Sequence, residues 1–304
     1  MTNSLYKLFL ISFSLFIFSC SKKINTESKV TDLKTEVQKI IKGKNATVAV
    51  SVLRFEEPFE LNMNGEKHLP MQSVFKFHIA LAVLKLVDEG KLNLNQKIFI
   101  KKEELLPETW SPIREKYPEG NVKLSLAEIL KYTVAQSDNI GCDILLRSIG
   151  GTETVQNFMN EKGVKNFQIK FNEEQMHQDW NAQYENYSST NSIVELLQKF
   201  YDGNIVSRPS TDLLMKIMLE TTTGENKLIA GIPKNTTIAH KTGASGKNNT
   251  GLTGAENDMG IVTLPNGNHY AICIFINNSM ETQEINEKMV ADISKVTFNI
   301  LNKK

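Results

Sequence analysis

Strand-like segments lie at both ends of this 304-residue chain, and the long middle of the chain has the periodicity of helices. Residues 47–54 (TVAVSVLR) alternate β-branched side chains with others, and similar runs return after residue 217, before a final amphipathic helix. The pattern predicts an α/β fold of the α+β sandwich kind. In this prediction, strands from both chain ends form one antiparallel sheet flanked by the terminal helices, and an all-helical lobe is inserted between the two sets of strands.

These patterns divide the chain into a leader and one folded domain. Residues 1–20 form the leader, and residues 24–304 form the domain. The sheet lobe is expected to take residues 24–69 and 218–304, and the helical lobe residues 70–217. A groove between two such lobes is where we expect a ligand to bind.

The leader has the features of an export signal. Lys7 precedes an apolar run over residues 8–18, which is shorter than the roughly 20 residues that a membrane-spanning helix needs. Ile17-Phe18-Ser19-Cys20 is similar to a bacterial lipobox, which would make Cys20 a site of lipidation and membrane attachment. A simply cleaved secretory signal is the alternative. In both cases the mature protein is expected in the periplasm.

Charge and cysteine content exclude several kinds of protein. The chain has 35 Lys and Arg against 34 Asp and Glu, so it lacks the basic field of a nucleic-acid-binding protein. With Cys20 assigned to processing, Cys142 and Cys273 remain, and we expect two buried thiols rather than a disulfide. The five histidines are scattered along the chain, so no structural metal is expected. Nothing in the composition argues against a monomer.

Ser73 and Lys76 stand three residues apart at the start of an apolar helix. At this spacing both side chains lie on one helix face. Ser73 falls in the first turn, where unpaired backbone N–H groups can stabilise an oxyanion. A serine nucleophile with a lysine base is one interpretation. A lysine that reaches from a core helix to solvent is the other, and this motif alone does not separate them.

Ser137-Asp138-Asn139 interrupts the helical pattern 64 residues after Ser73. Residues of these types commonly cap helices, which is the structural interpretation. A hydroxyl and a carboxamide at a helix junction can also face a cleft.

His240-Lys241-Thr242-Gly243 follows a strand-like stretch over residues 236–240. A small residue beside Lys241 and Thr242 would let a substrate lie close along a strand edge. A charged edge strand that resists aggregation is the structural alternative.

Together, the three motifs are more specific than any one alone. S-x-x-K, S-D-N and K-T-G, in this order and on helix, helix junction and strand, form the signature of class A β-lactamases and penicillin-binding proteins. The chain therefore resembles the penicillin-recognising serine hydrolases over nearly its whole mature length. Gln72, the Glu-x-Gln-Met-His run that begins at Glu173 and the long loop over residues 178–190 resemble the extended-spectrum cephalosporinase branch of class A.

The resemblance implies a catalytic role for four side chains. Ser73 would be the nucleophile, Lys76 its base or proton relay, and Ser137 the proton donor to the leaving nitrogen. Glu173, with Glu174 as the alternative, would activate the water that hydrolyses the acyl-enzyme. A surface acidic pair on a loop is the competing interpretation of these two glutamates.

Other residues acquire binding roles by the same resemblance. The backbone N–H groups of Ser73 and Ala244 would form the oxyanion hole. His177 would help to position the hydrolytic water, where most class A enzymes have an asparagine. The residues expected to contact the β-lactam substrate are Trp110, Asn139, Lys241, Thr242 and Ser245.

The implied function is hydrolysis of penicillins and cephalosporins, including oxyimino-cephalosporins, without a metal or organic cofactor. Two departures from the common pattern are visible: no arginine precedes Glu173 to form the usual loop ion pair, and none lies in residues 243–279. The alternatives are a D,D-peptidase or other penicillin-binding protein, and a non-catalytic β-lactam sensor. Both share the three motifs but would stay acylated.

Overall fold

The central sheet is built from both ends of the chain, which confirms the predicted fold class. The computed structural model describes residues 26–303, so the leader with Cys20 lies outside the described residues. Five antiparallel strands follow the order β2-β1-β10-β9-β8. The strands are β1 Thr47–Arg54, β2 Glu60–Met63, β3 Leu69–Pro70, β4 Lys97–Ile100, β5 Val122–Ser125, β6 Phe167–Gln168, β7 Tyr187–Ser188, β8 Ile238–Ala244, β9 Thr253–Thr263 and β10 His269–Ser279.

Helices cover both faces of this sheet. The helices are α1 26–41, α2 Phe75–Asp88, α3 Pro112–Lys116, α4 Leu126–Ala135, α5 Asn139–Ile149, α6 Thr152–Glu161, α7 Glu173–Gln178, α8 Thr190–Tyr201, α9 Arg208–Leu219 and α10 Gln283–Leu301. The terminal helices α1 and α10 pack on one face, and the helices between β3 and β8 form a body on the other. None of the helices in the described part of the chain is long and apolar enough to cross a bilayer.

Strand β10 separates two hydrophobic cores. Its side chains alternate, so Ile272 and Ile274 pack toward the terminal helices while Cys273 and Phe275 pack toward the helical body. A strand buried on both faces is apolar throughout, which explains why residues 270–276 form a continuous apolar run.

Strands β8 and β9 are both longer than the sequence indicates. The predicted β8 ended at His240, but the strand continues through Ala244, which pairs with Glu256 of β9. Strand β9 begins at Thr253, several residues before its apolar run over residues 259–264. Residues 253–257 are small or polar and weak strand formers, yet their backbone groups pair with strands on both sides. The extra length carries the K-T-G motif along the sheet edge.

Cys142 and Cys273 are both buried free thiols, as predicted. Burial raises the pKa of each thiol, so both stay protonated and unreactive at neutral pH. Within residues 26–303 no group of three or more His, Cys, Asp or Glu side chains could hold a metal ion.

Candidate active site

Ser73 lies in a short 3-10 turn, Gln72–Val74, that leads directly into α2. Lys76, one turn later, places its Nζ 2.7 Å from Ser73 Oγ. The lysine is fully buried, which excludes the interpretation of a side chain that reaches solvent. Its ammonium group therefore lies against the serine hydroxyl inside the protein.

The Lys76 ammonium has polar neighbours from two other segments. Its Nζ donates to Ser137 O at 3.0 Å and to Asn139 Oδ1, and lies 2.6 Å from Glu173 Oε1. A buried charge is tolerated only where hydrogen bonds and an opposite charge replace water. Lys76 thus joins the helix of Ser73, the S-D-N junction and the glutamate loop at one atom.

The S-D-N motif serves both as a helix cap and as part of the cleft. Asp138 is the N-cap of α5 and accepts from Gly141 N at 2.7 Å and from Ile113 N at 2.6 Å. Ser137, before it, has a left-handed φ of 58°. This conformation turns the chain between α4 and α5, so Ser137 and Asn139 both contact the lysines of the site.

Strand β8 brings the K-T-G motif against the other side of Ser137. Lys241 is fully buried and donates to Ser137 Oγ at 3.0 Å and to Thr242 O at 2.8 Å. Burial, followed by the nearby charge of Lys76, holds the pKa of Lys241 well below its usual range. A Cβ at Gly243 would lie 2.5 Å from Met71 O and 3.1 Å from Ser73 N. Glycine therefore lets β8 pack directly against the serine turn.

The two neighbouring glutamates occupy different environments. Asn172 caps α7, and Glu173, its first residue, is 9% exposed and faces Lys76, whereas Glu174 is exposed to solvent. The backbone N–H groups of Glu173 and Glu174 both donate to the Asp143 carboxylate, at 2.9 and 3.0 Å. The surface-pair interpretation therefore fits Glu174 but not Glu173.

A neutral side chain closes the base of the glutamate loop, where the sequence lacks the usual arginine. Asn186 is fully buried, and its Oδ1 accepts from Lys170 N at 2.7 Å and from Phe171 N at 3.0 Å. Its Nδ2 donates to Phe171 O at 2.7 Å. One carboxamide thus holds both sides of the loop through backbone groups, with no ion pair required.

Three other predicted residues lie at the rim of the site. His177 is exposed and lies one helical turn after Glu173. Trp110 is 54% exposed, and its indole N–H donates to Gln136 O at 2.8 Å. Ser245 Oγ donates to Gly246 O and accepts from Ala255 N, so the local turn already uses this hydroxyl.

A cleft cavity of about 160 Å³ lies between the glutamate loop, the serine turn and the end of β8. The lining residues are Gln72, Thr109, Asn139, Glu173, Met176, His177, Trp180, Gln183, Ala244 and Ser245. A larger cavity of about 470 Å³ shares Thr109, Asn139, Glu173 and His177 with it and continues toward Arg147. A bulky substituent on a substrate could extend in this direction.

Sequence reasoning missed several residues that support the site. Asp143 and Asn186 hold the glutamate loop, and Thr109 accepts from Asn139 Nδ2 at 2.8 Å. Gln183 links the loop to Gln72. None of them belongs to a local motif, and the contacts join positions 15 to 111 residues apart. Only the missing arginine before Glu173 signalled that another arrangement was needed.

Comparisons with known proteins identify the family. The model of the β-lactamase enzyme family matches residues 32–301. The chain belongs to this family. It is 47% identical over 300 residues to β-lactamase VEB-1 of Pseudomonas aeruginosa, with 98% of each chain covered. It is 37% identical to the extended-spectrum β-lactamase PER-1 of Pseudomonas aeruginosa, covering 98% of this chain and 94% of that one.

Solved structures agree with this assignment. The crystal structure of the TLA-3 extended-spectrum β-lactamase matches with a TM-score of 0.88 at 49% identity, covering 91% of this chain and 100% of that chain. The predicted class A serine β-lactamase, a hydrolase of β-lactams, is therefore confirmed.

Proposed function

We propose that this β-lactamase hydrolyses penicillins and cephalosporins, including oxyimino-cephalosporins, through an acyl-enzyme on Ser73. One observation carries the proposal: Lys76 Nζ lies 2.7 Å from Ser73 Oγ and 2.6 Å from Glu173 Oε1. A single buried ammonium therefore joins the nucleophile to the carboxylate that would activate water. PER-1 and TLA-3 are both described as extended-spectrum enzymes, which supports the inclusion of bulky cephalosporins.

Acylation begins when Ser73 Oγ attacks the lactam carbonyl carbon. Lys76 first gives a proton to Glu173 Oε1, 2.6 Å away, and then accepts the Ser73 proton as a neutral amine. In the alternative route the Ser73 proton passes through a water to Glu173. The backbone N–H groups of Ser73 and Ala244 stabilise the oxyanion, a contribution of about 3–4 kcal/mol where one such donor has been removed from an enzyme. Gly243 supports this arrangement because its missing side chain keeps β8 close to the serine turn.

Ser137 protonates the departing lactam nitrogen. Its Oγ accepts a hydrogen bond from Lys241 Nζ at 3.0 Å, so the hydroxyl proton stays free to point into the cleft. Lys241 and Thr242 bind the substrate carboxylate, with Ser245 at the end of the strand. Asn139 donates to the side-chain amide of the substrate, and Trp110 borders the cleft beside Ser137.

Deacylation uses Glu173 as the general base. The carboxylate takes a proton from a water, which attacks the acyl carbon, while His177 helps to place that water. The departing Ser73 Oγ takes a proton from Lys76, which regains one from Glu173. A positioned base of this kind contributes about 10²–10⁴-fold to a rate. This contribution separates a β-lactamase from a penicillin-binding protein or a sensor, which would keep the acyl group.

The Glu173→Gln variant tests this mechanism. After mixing with an oxyimino-cephalosporin, time-resolved intact-protein mass spectrometry should show free wild-type enzyme and hydrolysed drug, while Glu173→Gln accumulates an adduct on Ser73. We expect deacylation to fall about 10²-fold or more, because the base is lost. Glu174→Gln is the matched control and should turn over normally. Persistent acylation of the wild-type enzyme would favour the penicillin-binding or sensor alternative instead.

We also propose that the enzyme works in the periplasm as a monomer and is attached to the membrane through lipidated Cys20. Support comes from the export signal and the lipobox-like residues 17–20. Metabolic labelling with palmitate should mark the wild-type protein and leave Cys20→Ala unlabelled. Equal labelling of the two proteins would show that the leader is only cleaved.

A further inference from the structure

Gln183 is a buried carboxamide in the turn that follows α7. The side chain is 2% exposed. Its Oε1 accepts from Gln72 Nε2 at 2.8 Å, and its Nε2 donates to Trp180 O at 2.7 Å. Both ends of the amide are therefore paired, one to the serine turn and the other to the glutamate loop.

Gln72 is an unusual partner because it directly precedes the nucleophile. Its backbone has a left-handed φ of 47°, a conformation that residues other than glycine seldom adopt. Such a conformation persists only where surrounding contacts hold it. Strand β8 packs against this turn at Gly243, while the Gln72 side chain carries the hydrogen bond to Gln183.

Strand β9 has a matching space for the same amide. A Cβ at Gly254 would lie 2.3 Å from Gln183 Oε1 and 3.0 Å from its Nε2. Glycine at this position therefore leaves the volume that the Gln183 side chain fills. Gln183 therefore contacts three elements: the serine turn, the glutamate loop and the sheet that carries Ala244.

We propose that Gln183 is a positioning residue that sets the distance between Glu173 and the acylated Ser73, and so acts on deacylation. The proposal rests on the function proposed above. Asp143 and Asn186 fix the loop on the side of α5 and at its base. The Gln72–Gln183 bond ties its remaining side to the serine turn.

Acylation should depend less on this bond than deacylation. The hydrogen bonds among Ser73, Lys76 and Ser137 do not pass through Gln183. A loop that shifts by about 1 Å would misplace the water between Glu173 and the acyl carbon, and an error of that size can cost about 10²-fold in rate.

Gln183→Met tests the proposal because it keeps the length of the side chain and removes both hydrogen bonds. Stopped-flow measurement with a chromogenic cephalosporin gives the acylation rate, and intact-protein mass spectrometry gives the decay of the adduct. We expect deacylation to fall at least about tenfold and acylation to fall less than about threefold. Gln38→Met, at an exposed position on α1, is the matched control and should leave both rates unchanged.

Gln72→Leu gives a second route to the same bond, at a partly exposed position, if Gln183→Met does not fold. It should produce the same kind of selective loss, and the double variant should lose little more than Gln183→Met, because the Gln72–Gln183 bond is already absent in that single variant. Effects that simply add, or equal losses of acylation and deacylation, would overturn the proposal. Normal deacylation in Gln183→Met would reject the role of Gln183 but not the proposed function, provided that Glu173→Gln still accumulates the Ser73 adduct.

Discussion

At the scale of single residues, Asp143 links the structure of the glutamate loop to pH. Its carboxylate accepts the backbone N–H groups of Glu173 and Glu174. Burial raises the pKa of Asp143 from 3.8 to about 6, although the two N–H groups favour its charged form. Between pH 3.8 and about pH 6, Asp143 is therefore still protonated in the folded protein but has lost its proton in the unfolded chain. The contribution of Asp143 to stability therefore falls as pH rises from about 3.8 to about 6.

Asp143→Asn should remove this pH dependence. The free energy of unfolding of the variant, relative to wild type, should increase between pH 4 and pH 6.5 by on the order of 1–3 kcal/mol. Deacylation at neutral pH should fall, because an amide offers one acceptor to two N–H groups. Urea titrations across this pH range measure the first effect. Asp32→Asn, at an exposed position on α1, is the control, and a difference between Asp143→Asn and wild type that stays constant with pH would contradict the assignment.

At the scale of elements, the parts that could be predicted from the sequence are those with local signals. The capping box of Ser125 and Glu128 at the start of α4 is such a signal, because both partners lie within one turn and form an S-x-x-E pattern in the sequence. Each of the three catalytic motifs is likewise contained in a single turn or strand. The order of the three motifs indicated the family because each motif falls on the element that the periodicity predicts there: a helix, a helix junction and a strand.

The parts that could not be predicted depend on contacts between distant segments. The hydrogen bonds of Asn186 to Phe171 and of Asp143 to Glu173 span 15 and 30 residues, and neither partner carries a recognisable pattern. The early start of β9 has a similar cause, since residues 253–257 become a strand only through pairing with β8 and β10. Tertiary pairing overrides weak local propensity there. The missing arginine before Glu173 showed that the loop must differ, but not how.

At the scale of the whole molecule, the helical body between β3 and β8 packs on a sheet whose strands come from both ends of the chain, so its folding depends on both ends. Strand β1 pairs with β10 over eight residues, from Thr47 with Asn277 to Arg54 with Tyr270. The segment between β3 and β8, which supplies Ser73, Ser137 and Glu173, packs on a sheet that is complete only after β10 has been added. We therefore expect the catalytic residues to be brought together only when the whole domain folds.

Substitutions on the two faces of β10 test this dependence. Phe275→Ala opens the core under the helical body, and Ile274→Ala opens the core under α1 and α10. Each should cost about 2–5 kcal/mol, because large buried side chains are truncated. Phe99→Ala, at a 44% exposed site, is the control and should cost far less.

The shape of the unfolding curves distinguishes one cooperative unit from two. Tryptophan fluorescence reports on Trp110 and Trp180, both in the segment between β3 and β8, whereas far-UV circular dichroism reports on the whole chain. If the domain is one unit, both probes should shift together in urea for either variant, because neither lobe keeps its core without the sheet. Separate transitions, with Ile274→Ala moving only the circular dichroism signal, would show that the helical body folds independently. The catalytic geometry would then depend on how the lobes dock rather than on a single folding event.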